Sequence, residues 1–182
     1  MRGRILITLA LLALAAPVGA TQPEEPAGYR AAPYNAPVPA TLAGATVVDD
    51  AGAVALHAAG GAVFIDVLPR DNKPADLPEG TIWRDKPRDS IPGAIWLPNT
   101  GFEALNPEED AYLRAGLAQA TAGNPDQPVL IFCRADCWMS WNAAKRAVSY
   151  GYSHVIWYPG GTEGWQTQPG TMLERVEPFT VP

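Results

Sequence analysis

The sequence predicts an α/β fold with a central, mostly parallel sheet that is covered by helices on both faces. Short apolar runs typical of buried strands alternate along the chain with segments of helical periodicity. The links between them are tight, and a strand–helix–strand unit with tight links forms a parallel pair with a right-handed crossover. Such sheets are buried on both faces. The length of 182 residues fits one domain with a normal core.

Each predicted element has a local signal. Asp49 or Asp50 is suited to cap a first helix, which runs to the glycine pair at 60–61. Pro107 and the acids after it open a second helix, which ends near Gly123. A glycine-rich turn at 159–165 leads into a short last helix or loop. The apolar runs predict strands at 45–48, 62–66, 91–98, 128–132 and 154–158.

Residues 1–20 have the features of a secretory signal peptide. Arg2 and Arg4 precede an apolar run from Ile5 to Ala16, and small residues follow at 18–20 for cleavage. The apolar run is too short to span a bilayer comfortably. We therefore expect an exported protein with no membrane span after the signal is cleaved.

The rest of the chain divides by composition. Residues 21–44 form a Pro/Ala-rich extension, of which we expect 21–30 to be disordered and the remainder to lie on the domain surface. Residues 45–170 form the domain, with a long polar loop at 69–90, and 171–182 form a C-terminal tail. The formal net charge of −6 argues against nucleic acid or an anionic membrane as a partner.

The segment from 128 to 151 carries the chain's two cysteines, Cys133 and Cys137. It is predicted to form a strand, a short loop that holds both thiols, and a helix with Ser140 as candidate N-cap and Gly151 just past its end. Both cysteines then lie at the carboxyl end of a parallel strand, where ligands gather in such sheets.

The position before a helix gives Cys133 a reason to be reactive. Backbone N–H groups and the helix dipole stabilise an anion, so we expect a favoured Cys133 thiolate that alkylates faster at low pH. Arg134 adds a positive charge beside it, whereas Asp136 opposes an anion. If the loop curls back, Cys137 comes close enough for a reversible disulfide with Cys133. The alternative is a pair of inert, buried cysteines.

Four sets of residues follow one another along the chain: Phe64-Ile-Asp66, Ile91-Pro-Gly-Ala94 with Leu97-Pro98, Phe132-Cys-Arg134 with Ala143-Ala144, and Gly160-Gly161 with Trp165. In this order they resemble the rhodanese-like family, and the resemblance covers about residues 45–166. The segments 34–42, 133–138 and 141–146 resemble a smaller group more closely. These are the periplasmic rhodanese-like proteins with a CxxxCW motif, associated with pyrroloquinoline-quinone (PQQ)-dependent alcohol catabolism. That likeness implies a periplasmic location and a pathway.

The thiol loop departs from the usual family pattern, in which backbone N–H groups and a closing arginine cradle an anion. Here the loop is one residue longer, and Met139 stands where that arginine is usual. The histidine usual before Ile91 is Ser90. The resemblance implies an anion- or substrate-binding role for Arg134, Trp138, Met139 and Ser140. Both thiosulfate sulfurtransferase and phosphatase activity are expected to be weak.

Three functions stay open. In the first, Cys133 is the nucleophile and persulfide carrier and Cys137 the resolving thiol of sulfur transfer or of disulfide or persulfide exchange. In the second, the two thiolates bind Cu(I); two thiols with no histidine near them in sequence favour neither a closed zinc site nor a c-type haem. In the third, a non-enzymatic accessory protein uses the loop and Trp138 to contact a PQQ-dependent dehydrogenase or a periplasmic electron-transfer protein.

Overall fold

The computed structural model describes residues 22–71, 73–74 and 76–181, so the predicted signal peptide lies outside the described residues. The predicted strands and helices are all present; the strands are shorter than predicted, and the helix after the thiol loop begins earlier than predicted. In chain order the elements are β1 (Thr46–Val47), α1 (Asp50–Ala58), β2 (Val63–Asp66), β3 (Arg88–Ser90), β4 (Ile95–Trp96), α2 (Pro107–Ala120), β5 (Val129–Phe132), α3 (Trp138–Ser149), β6 (Val155–Tyr158), α4 (Gly161–Gln166) and β7 (Glu174–Val176).

The main sheet has five strands in the order β1-β6-β5-β2-β4, and every neighbouring pair is parallel. The strand β5 therefore lies in the middle, with β2 on one side and β6 on the other. In the register of the sheet, Phe132 at the end of β5 lies beside Asp66 and Tyr158. Whatever follows Phe132 thus begins at the centre of the sheet's carboxyl edge.

Alternation along the strands separates two cores, one on each face. Val129 and Ile131 of β5 pack in a cluster with residues of α2 and α3, whereas Leu130 and Phe132 pack with residues of α1 and α4. Successive side chains of a strand point to opposite faces, which is why one buried strand serves both clusters. The predicted α/β architecture, with helices on both faces of a parallel sheet, is confirmed.

Capping groups fix where the first two helices begin. Asp49 caps α1, because its Oδ1 accepts a hydrogen bond from the Gly52 N–H at 2.8 Å. Asn106 caps α2 in a capping box, with the Glu109 carboxylate accepting from the Asn106 N–H at 2.9 Å. Pro107 occupies the first helical turn, as predicted.

A second, small sheet attaches the C-terminal tail. The polar loop predicted at 69–90 ends in β3, which pairs antiparallel with β7 in the tail. Tyr112 then donates from its hydroxyl to the Phe179 carbonyl at 2.8 Å. Sequence patterns did not assign this strand, since its partner is far away in the chain. No helix among the described residues is long and apolar enough to cross a membrane.

Candidate functional site

The two cysteines frame the connection from the central strand to α3. Cys133 directly follows β5 and is fully buried, while Cys137 is the N-cap residue of α3 and is 4% exposed. Both are free thiols, and they hydrogen bond to each other through their sulfur atoms. The loop does curl back, so the geometry fits the predicted reversible disulfide, whose formation remains a prediction.

The pKa of Cys137 is lowered to about 7. The largest cause is the hydrogen bond from the Cys133 thiol. Burial opposes it, and the backbone N–H groups of Met139, Ser140 and Arg134 lower the pKa further. These N–H groups belong to the first turn of α3 and to the loop, so they point at the N-cap position, where an anion is stabilised. Cys137 is therefore the thiol that ionises first.

Burial raises the pKa of Cys133 well above its ordinary value, and the hydrogen bond to Cys137 and the nearby Asp66 carboxylate raise it further. This direction runs against the prediction that Cys133 carries the favoured thiolate, which alkylation at graded pH tests. That prediction placed the start of the helix at Ser140, with both thiols in the preceding loop. Because α3 begins at Trp138, the N–H groups of Met139 and Ser140 in its first turn lower the pKa of Cys137, whereas only the Arg134 N–H lowers that of Cys133.

Three polar residues that the sequence analysis did not assign to the site form a buried network beside Cys133. Asp66, at the end of β2, is fully buried and pairs with Arg88, whose Nε donates to Oδ2 at 2.7 Å. Ser90 donates its hydroxyl to the same oxygen at 2.5 Å. Arg88 also donates from Nη2 to the Cys133 carbonyl at 3.4 Å. The usable signal was Asp66 itself, an acid closing a strand of a parallel sheet.

The predicted anion-binding residues separate into two kinds. Arg134 is exposed, and its Nη2 donates to the Asn35 side chain at 2.9 Å. The side chains of Trp138, Met139 and Ser140 in α3 are buried. Met139 and Ser140 affect the Cys137 thiol through their backbone N–H groups, whereas the Trp138 N–H donates to the Tyr34 carbonyl. Ser140 is therefore not the N-cap. Its hydroxyl donates to the Cys137 carbonyl at 2.9 Å and accepts from Trp157 at 3.1 Å.

A cleft of about 560 Å³ opens beside the loop and is lined by Arg70, Lys86, Arg88 and Arg134. Most of this positive charge is already paired. Lys86 lies 2.6 Å from Asp71, and Arg88 is held by Asp66. The cleft therefore offers a small anion less attraction than its count of basic residues indicates, in line with the expected weak thiosulfate activity.

Residues 22–42, named here the cover segment, lie across α3 and the thiol loop. The buried Asn142 side chain holds the segment at both backbone groups of Arg30, accepting at 2.8 Å and donating at 2.9 Å. Trp138 and Trp141 donate from their indole N–H groups to carbonyls of Pro37 and Thr41. The expectation of disorder at 21–30 is thus wrong for 22–30, because side chains of α3 satisfy the polar backbone there.

Guanidinium groups add to this contact. Arg146 of α3 is 4% exposed and lies 3.9 Å from the centre of the Tyr29 ring, and Arg30 lies 5.5 Å from the centre of the Trp138 ring. Cation–π pairs of this kind are each worth about 0.5 to 2 kcal/mol, depending on how fully the cation is desolvated. The cover segment is therefore an ordered wall of the site.

Two solved structures are similar to this chain. The thiosulfate sulfurtransferase of Pseudomonas aeruginosa is similar at a TM-score of 0.48 and 21% identity, over 74% of this chain and 21% of that protein. An uncharacterized protein of Saccharomyces cerevisiae is similar at a TM-score of 0.41 and 19% identity, over 69% of this chain and 94% of the other. No curated protein matches.

The family model for the rhodanese-like domain matches residues 53–168. That range contains the strands β2, β5 and β6, the helix α3 and both cysteines, and it leaves out the cover segment. Since the match spans more than half of the described fold and holds the whole thiol loop, the chain belongs to the rhodanese-like domain family.

Proposed function

We propose that the protein is a dithiol exchange protein that acts on disulfides or persulfides, with Cys137 as the attacking thiolate and Cys133 as the resolving thiol. The observation that carries this proposal is the pair of free, mutually hydrogen-bonded thiols whose pKa values are shifted in opposite directions. A thiol with a pKa near the ambient pH is the best attacking group, and a protonated neighbour is available for the second step.

The exchange balances as two successive substitutions. The Cys137 thiolate attacks one sulfur of the substrate disulfide, a Cys137–substrate bond forms, and the other substrate sulfur leaves as a thiolate. The Cys133 thiol passes its proton to that leaving thiolate and attacks the Cys137 sulfur, which releases the second substrate thiolate. The substrate disulfide is reduced by two electrons, and the protein is left with a Cys133–Cys137 disulfide. A persulfide follows the same course, with hydrosulfide as the last leaving group.

Trapping with single-thiol variants tests these roles. Cys133→Ser should react with the disulfide of thionitrobenzoate, release one thionitrobenzoate and keep the other as a mixed disulfide visible in the intact mass. Cys137→Ser should react far more slowly, because its remaining thiol is buried and has a raised pKa. A mixed disulfide trapped only by Cys137→Ser would reverse the roles, and a wild-type protein inert to disulfides and persulfides would refute the function.

Copper carriage is a second candidate, favoured by the adjacent sulfur atoms of Cys133 and Cys137, since soft thiolates suit Cu(I). Among the described residues no group of three or more His, Cys, Asp or Glu is placed to hold a metal ion. A site here would thus have the two sulfurs alone. Intact mass of the protein purified from its own compartment separates the candidates, because bound copper, a persulfide and a disulfide each change the mass differently.

The setting we propose is the periplasm, where the protein supports PQQ-dependent alcohol oxidation and meets a quinoprotein dehydrogenase or an electron-transfer protein. Support comes from the signal-like residues 1–20 and from the CxxxCW resemblance at 133–138. N-terminal sequencing of the exported protein should find Thr21 first, and a cytoplasmic protein that begins at Met1 would contradict export.

A further inference from the structure

The cover segment pairs with the thiol loop as a short antiparallel strand. The Trp138 N–H donates to the Tyr34 carbonyl at 2.8 Å, and the Ala36 N–H donates to the Asp136 carbonyl at 3.1 Å. These two bonds flank Asn35 and Cys137, which face each other as a bridge pair. Since the bonds come from the residues on either side, Asn35 and Cys137 form a non-hydrogen-bonded antiparallel pair.

This pairing has a chemical consequence, because it brings side chains close. The Cα atoms of a non-hydrogen-bonded antiparallel pair lie about 4.5 Å apart. Disulfides join residues whose Cα atoms are about 4.4 to 6.8 Å apart. A half-cystine in place of Asn35 would therefore have its sulfur within reach of Cys137 with no backbone movement.

We propose, on the basis of the exchange function above, that residues 34–36 occupy the binding groove of an extended, disulfide-bearing polypeptide, whose half-cystine takes the place of Asn35 opposite Cys137. The groove offers such a substrate the Trp138 N–H and the Asp136 carbonyl, which bind any backbone of this register whatever its side chains. Arg134, which Asn35 now holds, is freed on the rim.

For a substrate to enter, the front of the cover segment (residues 29–36) would leave the groove while its rear (residues 38–42) stays fixed. Val38 and Leu42 are 5% and 3% exposed and belong to the same core cluster as the cysteines, so they anchor the segment. The contact of the front with α3 leaves two buried donors unsatisfied. Within the described ranges, Arg30 Nε and Arg146 Nη1 are the buried side-chain nitrogens that lack a hydrogen-bond partner, and both lie at this contact. Opening would let water reach them.

The substrate's course follows from this placement. The incoming half-cystine aligns with Cys137, whose thiolate attacks it and expels the substrate's other sulfur as a thiolate. Cys133, behind Cys137 in the core, then displaces the bound segment as a thiolate, and its proton goes to the first leaving group. The disulfide of the protein pair closes, and the cover segment can return over it.

Cross-linking tests the register without depending on turnover. In a Cys133→Ser background, Asn35→Cys should form a disulfide with Cys137 under mild oxidation, detected by intact mass and peptide mapping. Ala36→Cys is the matched control: it is next in the strand with its side chain on the opposite face, and it should not cross-link. Failure of the Asn35→Cys bridge in a folded protein, or equal bridging from Ala36→Cys, would overturn the inference.

Synthetic peptides test the substrate. Two peptides spanning residues 29–37 would carry a thionitrobenzoate mixed disulfide on a cysteine, one at the Asn35 position and one at the Ala36 position. Wild-type protein should release thionitrobenzoate from the first at least about tenfold faster, because only that register aligns the reacting atoms. Equal peptide rates, with a small disulfide still reduced, would refute the groove but not the exchange function. If no disulfide reacted at all, the exchange function would fail, and the cross-link would still decide the register.

Discussion

At the scale of single residues, the pKa values of the two cysteines differ because of their hydrogen bond to each other, their burial and the backbone N–H groups near each sulfur. Cys137 lies at the N-terminus of α3, where N–H groups have no partner within the helix. Cys133 lies behind it, at the sheet edge, with the Asp66 carboxylate nearby. A negative charge is stabilised at the first position and opposed at the second. The same loop thus holds one thiol with a lowered pKa and one with a raised pKa.

Alkylation at graded pH tests this assignment. The Cys137 thiolate should form as the pH rises through about 7, since its pKa is lowered to that value. Its rate of reaction with iodoacetamide should therefore reach half of its plateau near that pH, while Cys133 reacts only at a pH above that of an ordinary cysteine. Peptide mapping by mass spectrometry separates the two.

The control for this measurement is Cys137→Ser, which should leave a thiol that reacts slowly and only at high pH, because burial still disfavours its thiolate. Faster labelling of Cys133 at low pH, or two thiols with the ordinary cysteine profile, would contradict the assignment.

At the scale of elements, the sequence was informative about the sheet and less so about the thiol loop. Apolar runs such as 128–132 and 154–158 located the central strands, since buried strands must be apolar on both faces. The start of α3 was misplaced because Ser140 is a good capping residue by type, whereas the chain begins the helix at Trp138 with no side-chain cap. Pairing with Tyr34, distant in the chain, supplies the Trp138 N–H with its acceptor instead.

The first turn of α3 is also fixed from outside, by the loop that carries Gly101. A Cβ added at Gly101 would lie 2.4 Å from the Met139 carbonyl oxygen, so the two backbones touch. Gly101→Ala should move this turn, lower the free energy of unfolding by about 1 to 3 kcal/mol, and shift the pH midpoint of Cys137 alkylation upward as its N–H donors move away. Urea unfolding and the pH profile measure the two effects.

Gly28→Ala is the matched control, because a Cβ at Gly28 would meet nothing within 4 Å. It should change neither the unfolding free energy nor the midpoint. If Gly101→Ala lowered stability and left the Cys137 midpoint at its wild-type value, the first turn of α3 would not be what sets that pKa.

At the scale of the whole molecule, both ends of the described chain pack on the face of the sheet that carries α2 and α3. The cover segment lies over α3, and the tail pairs β7 with β3 and reaches α2 through Phe179. The sequence predicted only that the extension after residue 30 lies on the domain surface, and it predicted none of these contacts. The prolines in 21–44 and 171–182 indicate only that these segments are not helical. The contacts that order the segments join residues far apart in the chain, such as the bond from Trp141 to Thr41, which are a hundred positions apart.

The cover segment should therefore contribute to the stability of the whole domain. Leu42 is 3% exposed and packs in the core cluster that also holds both cysteines. Leu42→Ala should lower the free energy of unfolding by about 2 to 4 kcal/mol, the cost of a large-to-small change in a packed core.

Ile82→Ala is the control, since Ile82 is 79% exposed, and it should change the free energy of unfolding by no more than about 0.5 kcal/mol. Urea unfolding followed by tryptophan fluorescence gives both values, and one transition is expected, because anchor and sheet share a core. A Leu42→Ala protein as stable as wild type would show that the cover segment does not share the core of the domain. The segment would then lack the fixed rear on which displacement of residues 34–36 depends.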